Sequence, residues 1–551
     1  MKAPVGTIIV SLISFRLCRG FAESEWHGDV GQTPCAKILI VAPVSTLSHV
    51  FVYSEFAAGL AQRCHHVDLL VPQKASAHVK TPNIQQITSP AFKQLSDELF
   101  WYHLNEMPSY NYVAGTIVFL WYLSHAPRVC ERLLQDDVFR EYLNKPDEEY
   151  DLVLISPHIV DDCALAFAHK ARRAGKPWGH IFSSMLMPWV GHAFGNPGLG
   201  SYKPSAMTTW STEMTYFQQA VSQITYIFVM NFRHLWSYPR VRKALIEGWD
   251  SDVPNLADLE STSVISFNNE DLRVFTHQEP RVADIIDIGG AHCRPAKELP
   301  KELRDWADSK TEGFILFALG SALKSENFPE DAREMFVEAF KRFPEIHFLW
   351  KWDHGSMSGL SDNVKLAKWL PQQDLLGHKN IRGFMTHGGM LSTQEATYHG
   401  VPVIGLPIAA DQHTNMAKVT GVDSAGVVLH WGLLTVDDIV SAVRRILQDE
   451  KILGSVKRRS RLFRDQPMTP LERGVFWTEY VLRNGYDTGL RSPTRNLSWF
   501  EMYSVHVFMG LILLFVFFFV VFVFCLIRLK NALFASKERV SNERKSRNKR
   551  D

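Results

Sequence analysis

Short apolar runs recur along the chain, separated by segments of mixed polarity long enough to form a helix. Residues 36–43 (AKILIVAP) and 66–72 (HVDLLVP) are two such runs, and residues 48–63 between them predict a helix. An apolar run of this kind suits a strand buried in a parallel sheet, and strand, helix, strand is a βαβ unit. Residues 151–156 (DLVLIS) add a further strand of the same type. A second series begins at 314–319 (FILFAL) and continues through 347–350, 381–386 and 401–407, with a helix predicted over 390–398. The pattern predicts two doubly wound α/β domains facing a cleft, with ligands at the carboxyl ends of the strands. The join falls near 285–304, where GGAHCRPAKELP mixes Gly, Pro and charge, so the domains are expected over 23–290 and 291–500, the second with a return helix.

Two stretches depart from this pattern. Residues 505–527 hold 23 consecutive positions without Asp, Glu, Lys or Arg. As a helix they would span about 34 Å, enough for a bilayer core of about 30 Å. Residues 528–551 follow with nine Lys/Arg against three Asp/Glu, a net of +6. Near the N-terminus an apolar stretch runs to small residues at Gly20 and Ala22, predicting a signal peptide over 1–22. With a basic tail of 528–551, the positive-inside rule predicts a single-pass type I protein: body in the lumen, tail in the cytosol. The basic end resembles a retrieval signal, which points to the endoplasmic reticulum membrane, or else a plain stop-transfer cluster. A shorter apolar run, 112–123, predicts a buried or interfacial helix. The aromatics around it, and those at 185–189 and 194, suit ordinary core packing or a pocket for a lipophilic acceptor.

Composition adds bounds. At 551 residues the chain exceeds one hydrophobic core. Its net charge of +1 gives no reason to expect a nucleic-acid partner. Oligomeric state stays open, a homo-oligomer included. Cys35, Cys64, Cys130, Cys163 and Cys293, the cysteines of the expected luminal body, are widely spaced and predict neither a disulfide framework nor a zinc site. Asn496-Leu497-Ser498 is a glycosylation sequon close to the expected membrane.

Candidate chemistry concentrates in residues 369–415. Here the run 381–386 leads into His387-Gly388-Gly389 and then a helix. Glycines let backbone approach a phosphate, and the helix points its positive end at the loop. This stretch resembles the donor-binding signature of the UDP-glycosyltransferases, as do FALGS at 317–321, GGAHCRPAKELP and DQPMTPLERGVFWTEYVLR at 465–483. DDCALAFAHKA and SSMLMPWVGHAFGNP resemble invertebrate members. The resemblance covers nearly the whole chain and implies the GT-B fold, two Rossmann-like domains facing a cleft.

The resemblance implies a role for each matching residue. Trp369 stacks on uracil, with Gln372 beside the nucleoside, and Glu395 accepts from the ribose hydroxyls. His387, Gly389, Ser392 and Ser321 hold the diphosphate. Asp411 and Gln412 bond the sugar hydroxyls. Met390-Leu391 stands where many vertebrate members carry Thr-Asn. His49, at the start of a helix after the first strand, is the implied base, kept neutral by the helix N-terminus. Its orienting carboxylate is missing from the vertebrate position, which is Ser156. Asp162 is the favoured substitute and Asp161 the alternative. Asp250-Ser251-Asp252 is expected to be a loop rather than a metal site, and no metal or cofactor is expected. The leading expectation is inverting transfer of a hexose, glucose foremost, from a UDP-sugar to a hydroxyl of a small lipophilic acceptor. UDP-glucuronate as donor, a lipid acceptor, and a non-catalytic lipophile- or partner-binding homologue are the alternatives.

Overall fold

A computed structural model describes residues 33–548, apart from 76–80, 101–111, 157–159, 199, 205–209, 211–212, 272, 275–278, 321–327, 354–356, 409–410 and 422–423. The expected signal peptide, Ser321 and the last three residues of the tail lie outside the described residues.

Two parallel sheets organise the chain. The first comprises β1 (Lys37–Val41), β2 (His66–Leu70), β3 (Ile84–Ile87), β4 (Leu152–Ile155), β5 (Trp178–Phe182), β6 (Ser266–Asn268) and β7 (Ile285–Asp287). Their order is β3-β2-β1-β4-β5-β6-β7. The second comprises β8 (Phe314–Ala318), β9 (His347–Lys351), β10 (Val364–Ala367), β11 (Ile381–Thr386), β12 (Val403–Gly405) and β13 (Gly426–Val428), in the order β10-β9-β8-β11-β12-β13. In each sheet the order reverses about a central pair, β1 with β4 and β8 with β11. Such switch points open a crevice at the strand carboxyl ends.

Burial explains the near-continuous apolar strands. Ile38, Ile40, Leu69, Leu154 and Ile181 pack on one face of the first sheet with Phe56 and Leu60 of the helix Leu47–Gln62. Leu39, Val41, Leu70, Val153 and Ile155 fill the other face. Both faces are covered, so alternation would expose nothing and is absent.

Three features complete the chain, of which the return helix was expected from the sequence and the other two were not. The segment after Arg464 returns to the first domain. Its helix Pro470–Asn484 lies on Leu47–Gln62, where Arg63 Nε donates to Glu479 at 2.9 Å, and Arg495 pairs with Asp284 at 2.6 Å. Second, Cys35 is bonded to Cys64 and Cys130 to Cys163, which corrects the expectation of no disulfide framework. These partners are 29 and 33 residues apart and meet only once the βαβ crossovers are folded. Third, the apolar segment 505–527 does not end where its apolarity ends. It runs into the basic segment as one helix, Val505–Arg547, of 43 residues. Its most apolar stretch has a mean hydropathy of 3.3 and buries nothing against the protein.

Candidate active site

The donor half is built on the crossover β11, loop, helix Met390–His399. Gly388 has φ +82°, and a Cβ there would sit 2.5 Å from Met416 Cγ, so only glycine suits this loop. Gly389 caps the helix, which aims its first amides at the loop. His387 lies between Gly320 and Gly389, and burial lowers its pKa to about 4, helped by Lys351. Lys351, at the end of β9, donates to the Gly320 carbonyl at 3.0 Å. It was not singled out from sequence, although a lysine at the carboxyl end of a buried strand is the signal that would have found it.

A second cluster forms behind the loop. Gln372 Nε2 donates to Glu395 Oε2 at 2.6 Å and to Ser392 Oγ at 3.2 Å. The fold therefore brings together three residues singled out from sequence. Burial raises Glu395 to about 7, opposed by the Gln372 hydrogen bond. His292 Nε2 stands 3.7 Å from Glu395 Oε1 and 3.3 Å from the Leu391 carbonyl. It comes from the GGAHC segment and closes the cluster from the domain junction. Trp369 precedes the cluster and is 69% exposed, its ring open to a planar partner.

The third cluster follows β12. Asn415 Nδ2 donates to Asp411 Oδ2 at 2.9 Å and to the Gly388 carbonyl at 3.1 Å, tying Asp411 to the phosphate-type loop. Burial pushes the Asp411 carboxyl up, against the Asn415 hydrogen bond. Gln412 Oε1 accepts from the Ile408 amide at 2.8 Å. Asn415 was missed in the sequence reading; its place one turn after Asp411 is the signal.

The facing half comes from the first domain. His49 is half-buried in the first turn of Leu47–Gln62, and burial lowers its pKa to about 4. Tyr53, one turn further, has its hydroxyl 2.7 Å from Ser156 Oγ and 3.4 Å from Ser183 Oγ. The two aspartates diverge. Asp162, favoured from sequence as the partner of His49, is fully buried and instead accepts from Arg233 Nη2 at 2.8 Å. Arg233 also binds Glu260 at 2.9 Å and lies over the rings of Trp189 and Tyr238. Asp161 is near Tyr53 and the Val44 amide, in the loop that leads into the His49 helix. Burial and the adjacent Asp162 hold its carboxyl well above the usual range.

Asp250 pairs with Arg173 at 2.6 Å and accepts from the Asp252 amide at 2.9 Å, so the Asp-Ser-Asp triplet is a turn. Among the described residues, no group of three or more His, Cys, Asp or Glu side chains is placed to hold a metal. Asn496 is exposed in the short helical turn Pro493–Asn496.

Two parallel domains with a nucleotide-type loop at one sheet's carboxyl edge and a histidine at the other's define a GT-B glycosyltransferase architecture. A solved structure, the glycotransferase of kitacinnamycin, superposes with a TM-score of 0.53 at 19% identity, covering 81% of this chain and 99% of that one. The chain belongs to the UDP-glucoronosyl and UDP-glucosyl transferase family, whose sequence profile matches residues 36–544. It is similar to UDP-glucosyltransferase 2 of Dactylopius coccus, 30% identical over 473 residues, which is 85% of this chain and 88% of that one. It is also 28% identical to UDP-glucuronosyltransferase 2B15 of Homo sapiens over 500 residues, 86% and 89% of the two chains. The protein is a UDP-glycosyltransferase.

Proposed function

We propose that this enzyme transfers glucose from UDP-glucose to a hydroxyl of a small lipophilic acceptor, with inversion and with His49 as base. The observation that carries the reading is the place of His49, in the first turn of a helix at the carboxyl edge of its sheet, where burial lowers its pKa to about 4. A neutral ring accepts a proton at pH 7, where an imidazolium would not. The acceptor O–H gives its proton to His49 as the oxygen attacks the anomeric carbon. The bond from that carbon to the UDP oxygen breaks, and UDP leaves. The loop amides, the helix end and Lys351 take up the charge on the leaving group, so no metal or cofactor is required. Trp369 stacks on uracil, Gln372 and Glu395 hold the nucleoside, His387, Gly389, Ser392 and Ser321 hold the diphosphate, and Asp411 and Gln412 hold the sugar. Asp161, beside the loop that carries His49, is the side chain that orients the ring.

Glucose is favoured over glucuronate because the similarity to the insect glucosyltransferase is matched by the invertebrate-type segments around Asp162 and Met185. The apolar helix from Val505 anchors the body in the endoplasmic reticulum membrane, lumen-facing, with the basic segment in the cytosol. The test is UDP release by the full-length protein with a simple phenol, comparing UDP-glucose, UDP-glucuronate, UDP-galactose and UDP-N-acetylglucosamine. UDP-glucose is expected to turn over fastest; equal turnover of UDP-glucuronate would overturn the donor assignment. Ser156, in place of the vertebrate aspartate, favours a second reading as a non-catalytic binder. Nucleotide binding without release on any acceptor would establish it.

A further inference from the structure

The segment that joins the two domains does more than connect them. It leaves β7 through Gly289 and Gly290 and is then fastened to the helix Gln372–Leu376 of the second domain. Gln373 grips it twice: its Nε2 donates to the His292 carbonyl at 3.0 Å, and its Oε1 accepts from the Arg294 amide at 3.0 Å. Asp374 accepts from Arg294 Nη1 at 2.6 Å and from the Lys297 amide at 2.8 Å. Gln372, the residue before them, turns the other way and donates to Glu395 Oε2 at 2.6 Å.

This grip decides where the His292 ring lies. The ring is buried, and burial lowers its pKa to about 4, against the Leu391 contact. A neutral imidazole carries one N–H. The Leu391 carbonyl, 3.3 Å from Nε2, can only accept, which places that proton on Nε2. The same N–H faces Glu395 Oε1 at 3.7 Å, a gap that a shift of about 0.6 Å closes to a hydrogen bond. Nδ1 is buried with no hydrogen-bond partner among the described residues. A dry ring nitrogen costs stability that an apolar side chain of similar shape would not, so packing alone does not account for a histidine here. A buried carboxylate needs donors at both oxygens to keep one orientation.

We propose that His292 is a positioning residue for nucleotide recognition: its Nε2–H holds Oε1 of Glu395 while Gln372 holds Oε2, so the carboxylate is set to accept from the ribose hydroxyls. The domain junction thereby becomes part of the nucleotide site. The proposal rests on the reading of Glu395 as the ribose acceptor. Calorimetry on the full-length protein compares UDP with 2′,3′-dideoxyuridine diphosphate, which lacks the ribose hydroxyls. The unsubstituted chain is expected to prefer UDP by about 100-fold, and Glu395→Gln to lower that preference. Equal binding of the two nucleotides by the unsubstituted chain, or an unchanged preference in Glu395→Gln, would overturn the ribose reading itself. With that reading intact, His292→Leu is expected to lower the preference about tenfold, whereas a mere loosening of the fold would weaken both nucleotides alike. His292→Gln, whose amide nitrogen reaches the place of Nε2, is expected to keep it. Preference retained in His292→Leu, or lost equally in His292→Gln, overturns the proposal. A structure of the unsubstituted chain with UDP bound gives a readout that no folding defect can obscure. Nε2 is expected within about 3.2 Å of Glu395 Oε1; a separation that stays at 3.7 Å overturns the proposal.

Discussion

The two halves of the cleft are built differently. The half in the second domain draws most of its residues from one stretch, 369–415, and key polar groups there are tied to one another. Gln372 links Ser392 to Glu395, and Asn415 links Asp411 to Gly388. The half in the first domain is assembled from distant segments, and two of its polar groups are committed elsewhere. Asp162 is held by Arg233 in a buried ion-pair cluster, and Ser156 meets a tyrosine. The contrast teaches that one cluster of candidate site residues is pre-organised by local sequence, while the other is assembled by the tertiary fold.

Four measurements would break or sharpen that contrast. The largest effect is expected from His49→Ala. It should lower kcat for UDP release about 10²- to 10⁴-fold while leaving UDP affinity, read by tryptophan fluorescence, unchanged. A matching loss of affinity would mean that the two halves are not separable. Next comes the divergence of the aspartates. Arg233→Met leaves Asp162 and Glu260 without their buried cation and should cost about 3–5 kcal/mol in thermal unfolding. Asp162→Asn should lower stability with kcat retained in the folded enzyme, and Asp161→Asn should do the reverse. A kcat loss confined to Asp162→Asn would restore the ranking expected from sequence.

Gly388→Ala tests the donor loop alone. A left-handed φ costs a non-glycine residue about 1–2 kcal/mol, and the methyl would press on Met416. UDP affinity should fall by about tenfold, measured by calorimetry, with little change in kcat at saturating donor.

The smallest effect is in pH dependence, where the halves should separate on one enzyme. Glu395 is raised by burial to about 7 from an ordinary 4.5. Between these values the folded chain keeps a proton that the unfolded chain has released, so this group lowers stability as pH rises through that window. In the proposed complex the ribose hydroxyls donate to the Glu395 carboxylate, so UDP affinity should instead rise with pH through about 7, and Glu395→Gln should flatten the slope. His49 lies near 4, so kcat at saturating donor should fall only as pH drops toward that value. A kcat limb near 6.5 would show an ordinary imidazole in the working complex.

The sequence by itself determined the central strands of both parallel sheets. Strands such as 38–41 and 314–318 are apolar on both faces, and that pattern has few solutions other than a covered parallel sheet. It also determined the donor loop, because the glycines, Glu395 and Asp411 lie within one crossover whose geometry follows from strand, turn and helix. Only tertiary structure decided the rest. Cys130 meets Cys163, Arg233 captures Asp162, and Arg495 fastens the end of the body to Asp284, each across separations that no local period encodes. His292 reaches Glu395 only because the domain junction folds over the donor cluster. Local rules fix a backbone and the groups riding on it; which buried charge finds which partner depends on packing and desolvation summed over distant segments.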